Sequence, residues 1–133
     1  MPENPDSSSR LPPWRDLLEA AQDEVRETLA ELPATVRRAA AAVPVLYERR
    51  PAKALVDDGL DADLLGLFVG EPMGQEGQGS ALPAQILLFL ENLWEFVEGD
   101  PDGFYDEVRT TFLHELGHYL GLDEGDLEER GLD

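Results

Sequence analysis

FYDEVRTTFLHELGHYLG, residues 104–121, is the stretch on which the reading of this chain turns. Phe104, Val108, Phe112 and Leu116, joined by Leu113 and Leu120, recur at the three- and four-residue spacing of one packed helical face. The two histidines of the chain, His114 and His118, fall four apart in the same run. On a helix, positions i and i+4 lie one above the other, so two imidazoles converge on a single point. A tetrahedral zinc ion asks that geometry of two nitrogen ligands. Glu115 is turned about 100° from His114 around the helix. From there it reaches a metal-activated water without entering the ligand set, the position of a general base. The plainer reading is two surface histidines on an amphipathic helix. The helical pattern and the glycine that follows favour the metal site.

Gly121 stands three residues after His118 and supplies a stop, because an αL residue lets the chain leave the helix and fold back. Leu122-Asp123-Glu124-Gly125-Asp126 follows, so the motif extends to HExxHxxGxxE. Glu124, three residues after Gly121, is the candidate third ligand, and a carboxylate oxygen suits zinc there. Asp123 and Asp126 carry the same donor and are its competitors.

Upstream, residues 1–12 are polar and Ser/Pro-rich and read as a flexible tail, which leaves 13–133 as one domain. Pro12-Pro13 precedes a helix over Trp14–Glu31, with Leu17, Leu18, Ala21, Val25 and Leu29 on one face. A short Ala-rich helix is expected from Ala34 to about Ala42, then a strand at Val45–Glu48. Residues 51–63, rich in Asp, read as a solvated connection. Leu64–Val69 is a second strand, apolar on both sides and therefore expected inside the sheet. EPMGQEGQGSALP, 71–83, is a long loop, and Ile86–Glu91 a third strand. Leu93–Val97 reads as a helical turn. Asp100 or Asp102 then caps the final helix, expected from about Phe104 to Leu120. Helices around a small mixed sheet of about three strands make the fold α+β. Trp14 and Trp94 read as packing aromatics, and Tyr105 and Tyr119, off the histidine face, as packing or surface.

The chain is 133 residues long and carries ten Lys+Arg against 29 Asp+Glu, a net charge of −19. Such a charge repels phosphate backbones and anionic lipid, which argues against nucleic-acid and membrane-surface roles. There is no cysteine, which removes disulfides and thiolate chemistry and fits a reducing compartment. The opening MPENPDSSSR has no apolar run behind a basic start, and no stretch is long enough to span a bilayer. A soluble, cytoplasmic protein is the expectation.

HELGHYLGLDEGDLEERGL at 114–132 resembles the small bacterial zincin-like metallopeptidases, whose motif is HExxHxxGxx followed by an acidic residue. The likeness runs through Glu107–Leu113, Leu64–Gly70 and Leu82–Phe89, covering roughly 14–133. It implies a minimal zincin-like fold, with an N-terminal helix, a small mixed sheet and a C-terminal HExxH helix packed beneath it. It carries His114, His118 and Glu124 over as ligands of Zn2+ and Glu115 as catalytic acid/base. The Met-turn of metzincins has no counterpart here, since Met1 and Met73 both precede the motif.

The expected function is a zinc-dependent metallohydrolase, a metallopeptidase in which Glu115 takes a proton from the metal-activated water and returns it to the leaving amine. Its partner is a peptide or protein, lying along a sheet edge at 64–70 or 86–91. Residues 91–133 hold 14 acids against Arg109 and Arg130, so a cationic substrate is favoured. The competing reading is a zinc-binding regulatory or interaction module with little general protease activity. A third is a regulatory peptidase that cleaves one partner protein.

Overall fold

The computed structural model describes residues 11–74 and 82–122. Helix α1 spans Trp14–Glu31 and α2 spans Ala34–Ala40, each entered through a proline whose missing N–H costs nothing at a helix start. Strand β1, Val45–Glu48, leads into a one-turn helix α3, Lys53–Asp57. Strands β2, Gly66–Val69, and β3, Gln85–Phe89, follow, and β3 runs straight into α4, Leu90–Phe96. Helix α5, Pro101–Tyr119, carries the histidines. Within α5, Asp100 rather than Asp102 is the N-cap: its carboxylate accepts the Gly103 N–H at 3.1 Å, and Pro101 starts the helix three residues before the expected Phe104. Among the described residues, no helix is long and apolar enough to cross a membrane.

Among the described residues the sheet is mixed and three-stranded, in the order β1-β3-β2. β1 runs parallel to β3, pairing Val45 with Ile86 and Tyr47 with Leu88. β2 runs antiparallel to it, pairing Gly66 with Leu88 and Phe68 with Ile86. Side chains alternate along strands, so Val45, Tyr47, Gly66, Phe68, Ile86 and Leu88 share one face. That face lies on the helices. Ile86 and Leu88 are fully buried against Leu17, Ala21 and Val25 of α1, Leu93 of α4, and Phe104, Val108, Phe112 and Leu116 of α5. Arg109 ties α5 to α1 through Glu31 at 2.8 Å. Leu11 also packs against this core, whereas residues 1–10 of the expected tail lie outside the described residues.

Three local expectations need correction. Among the described residues β2 is an edge strand, not an internal one. Its apolar residues meet α5 and line a groove beside that helix instead of lying under a neighbouring strand. The third strand ends at Phe89, and Leu90 and Glu91 are already helical. A continuous run such as ILLFLENLW has no period of two to mark where strand becomes helix. In the connection 51–63, α3 forms a single turn with an ion pair from Lys53 to Asp57 at 2.8 Å.

Candidate metal centre

The last turns of α5 place His114 and His118 on the side of the helix that faces the free edge of β2. Their Nε2 atoms stand 3.2 Å apart, with the rings nearly perpendicular at 86°. Two nitrogens at about 2.0–2.1 Å from a tetrahedral zinc would be separated by about 3.3–3.4 Å. The pair is therefore spaced to share one such ion without rearrangement. His118 is exposed and His114 half-buried, so an ion reaches the pair from solvent. Ligating atoms of His114, Glu115 and His118 all lie within 4.8 Å of one another, and the donor chemistry of two imidazoles fits zinc.

Glu115 is held differently from its neighbours. Burial pushes its carboxyl above the ordinary carboxylate range, opposed by His118, by His114 and by the neighbouring backbone N–H of Phe68. The strand geometry makes that donor available. The N–H of Phe89 donates to the Leu65 carbonyl at 3.0 Å, so alternation sends the polar groups of Leu65, Leu67 and Val69 toward β3. The N–H and C=O of Gly66 and Phe68 point outward, toward the site.

Close approach of β2 to α5 depends on Gly66. A Cβ there would stand 2.6 Å from Thr111 Cγ2, 3.2 Å from the Leu87 carbonyl oxygen and 3.4 Å from Glu115 Cγ. Past the strand, the chain is strapped to the end of the same helix. The Met73 N–H donates to the Tyr119 carbonyl at 2.6 Å, and the Phe68 and Tyr119 rings pack at 5.9 Å. Tyr119 is buried in this contact and Tyr105 exposed, matching packing and surface roles.

Two grooves open along the β2–α5 seam and share Leu64, Gly66 and Glu115. One, of about 510 Å3, runs past Phe68, Gly70 and His118. The other, of about 260 Å3, runs the opposite way past Thr111 to Glu107. The lead into β2 is fixed by Asn92, whose Nδ2 donates to the carbonyls of Ala62 and Leu64 at 2.8 Å each. Arg50 donates to Asn92 Oδ1 at 2.8 Å and pairs with Glu95 at 2.7 Å, while Glu91 receives both Arg49 and Arg50. Arg49 in turn lies over the Trp14 ring at 4.9 Å.

The helix ends in a Schellman motif. Gly121, at φ +77°, donates to the His118 carbonyl at 3.0 Å, and the Leu122 N–H donates to the Gly117 carbonyl at 3.0 Å. Glu124, with its competitors Asp123 and Asp126, lies outside the described residues. Of the two edges proposed for a substrate, 86–91 is removed because β3 is the central strand, and 64–70 stands at the edge.

Gly66, the Phe68 N–H, Asn92 and Glu107 stand outside the HExxH pattern and are brought to the site by the fold. Gly66 carried a signal, since a glycine inside an apolar strand marks a close backbone approach. A backbone donor such as the Phe68 N–H carries none.

A family model for zincin-like metallopeptidases matches residues 40–132. Among curated proteins, no match to the chain is found. The matched span begins after α1, yet Leu17, Ala21 and Val25 of α1 belong to the same core as the HExxH helix.

Proposed function

The chain belongs to the zincin-like metallopeptidase family, and we propose that it is a zinc-dependent peptidase with Glu115 as general base and acid. The observation that carries this reading is the convergence of His114 and His118 beside a carboxylate turned toward the free edge of a strand. His114 and His118 supply two ligands through Nε2, and Glu124 the third. Bound zinc supplies Lewis acidity, lowering the pKa of water and polarising a carbonyl.

The chain's own residues do the rest. Glu115 takes a proton from water at its carboxylate and hands it to the leaving amine. Burial strengthens it as a base, because it raises the carboxylate's affinity for the proton. The Phe68 N–H orients that carboxylate. The outward N–H and C=O of Gly66 remain to pair with an extended peptide laid along β2. With 14 acids against two bases over residues 91–133, the surroundings attract a cationic peptide more readily than nucleic acid or anionic lipid. The cysteine-free composition agrees with a cytoplasmic setting.

The test is zinc stoichiometry on protein purified without chelator, followed by turnover of an unbiased peptide library. About one zinc per chain with cleavage at defined sequences is expected. Zinc without cleavage of any peptide would favour a metal-binding regulatory module instead.

A further inference from the structure

On α5, Glu107, Thr111, His114, Glu115 and His118 fall at the spacing of one helical face, so the groove that starts at the histidines continues along the helix to Glu107. Eight residues of helix separate Glu107 from Glu115, about 12 Å along the axis. That is the span of about three residues of extended peptide. The groove's volume of about 260 Å3 falls below the roughly 300–1,000 Å3 of sites that hold a whole small molecule. It suits one side chain.

The walls of this groove are aliphatic and its end is charged. Leu64 and Leu65 form one side, Gly66 opens the middle, and Thr111 lies between Glu107 and the histidines. The Glu107 carboxylate is half-buried, and its one hydrogen bond among the described residues is a long one, accepted from Thr111 Oγ1 at 3.4 Å. It makes no ion pair among the described residues. Arg109, two residues along the helix, is committed to Glu31 and Thr28. A carboxylate accepts up to about four hydrogen bonds, so this one has capacity left.

We propose that the groove ending at Glu107 is a selectivity pocket for a lysine or arginine side chain of the peptide substrate, one to three residues from the bond that is cut. The assignment rests on the peptidase reading above. A long basic side chain lays its methylenes along Leu64 and Leu65 and brings its cationic nitrogen to the Glu107 carboxylate. An apolar side chain of equal length would strip water from that carboxylate and leave it unpaired. An acidic one would be repelled.

The test uses the zinc-loaded full chain and eight-residue Ala/Gly/Leu peptides, N-acetylated and C-amidated to remove terminal charges, with Lys, norleucine or Glu at each position in turn. Cleavage is followed by mass spectrometry. Binding of the same peptides, fluorescein-labelled, is measured on zinc-loaded Glu115→Gln. At one position, the Lys peptide should be cut and bound at least about ten-fold better than the norleucine peptide, a preference that shrinks in high salt. Glu107→Gln should bring that ratio close to one, and Glu107→Lys should invert it toward the Glu peptide. Binding selectivity that depends on Glu107 without cleavage would sink the peptidase reading and keep the pocket. Cleavage without a Lys preference, a preference that survives Glu107→Gln, or neither cleavage nor binding would overturn the pocket.

Discussion

Gly66 and Thr111 meet so closely that a Cβ on Gly66 would stand 2.6 Å from the Thr111 methyl. This contact sets how near the edge strand comes to the helix of the histidines, and so whether the Phe68 N–H reaches Glu115. Gly66→Ala should push β2 off α5 at a cost of about 1–3 kcal/mol, the usual scale for overpacking. Zinc content should be kept, because the atoms nearest the added methyl belong to Thr111, Leu87 and Glu115, not to either histidine. Thr111→Ser removes the opposing Cγ2, so the double variant should regain most of the lost melting temperature. Equal melting temperatures for Gly66→Ala and wild type would show that the approach is not tight.

Asn92 latches the lead into β2 with both amide hydrogens, on Ala62 and Leu64. Asn92 is 5% exposed, so water does not readily replace it. Asn92→Ala should cost about 2–4 kcal/mol in urea unfolding, because two carbonyls lose their donor and Arg50 loses an acceptor. In the folded variant, Leu64 is no longer held over the grooves, and peptide binding should weaken more than zinc binding. A variant within about 0.5 kcal/mol of wild type would refute the latch.

The site helix was legible because a 3.6-residue apolar pattern and a four-residue histidine spacing coincide in one segment, and HExxH needs no long-range partner to be read. The N-terminal helix Trp14–Glu31 was legible for a similar reason, with proline before it and proline after it. Strand order was not. Leu64–Val69 is apolar on both faces, and from sequence such a strand reads as central; here Gly66 and Phe68 face α5 and its grooves, while Leu65, Leu67 and Val69 on the other face are half-buried. Phe89-Leu90-Glu91 hid the strand-to-helix change because burial on all sides erases periodicity. Groups that orient Glu115 were illegible in principle, since a backbone N–H leaves no residue type to find.

Burial of Tyr47 raises its phenol from an ordinary 10 to about 12, with Arg26 opposing. In the unfolded chain the proton leaves near 10, whereas the folded chain keeps it to about 12. Stability from this group is thus fully present below pH 10 and is lost as pH rises toward 12. Tyr47→Phe should flatten the alkaline decline. Urea midpoints at pH 9 and 11.5 measure it; an identical decline in variant and wild type would refute the assignment.

Glu124 is proposed as third ligand over its acidic neighbours. Glu124→Ala should weaken zinc binding by ten-fold or more, while Asp123→Ala and Asp126→Ala change it by less than about three-fold. Competition with a chromogenic chelator reads all three. A larger loss in either Asp variant would move the ligand to that residue.

The roles of His118 and Glu115 separate by experiment even if no substrate is found. His118 is proposed as a ligand, so His118→Ala should remove most zinc affinity. Since metal bound to the folded state is also folding energy, the melting temperature in zinc should drop toward that of the metal-free protein. Glu115 is proposed to act on water and not on the metal. Glu115→Gln is nearly isosteric, and its amide oxygen still accepts the Phe68 N–H, but it cannot take a proton. It should retain about one zinc per chain and a near-wild-type melting temperature, while hydrolysis falls by about two orders of magnitude or more. Burial already disfavours the charged carboxylate, so replacing it with a neutral amide should not cost stability. Loss of zinc from Glu115→Gln would place the carboxylate among the ligands. Retention of zinc by His118→Ala would break the pairing of nitrogens 3.2 Å apart on which the metal centre rests.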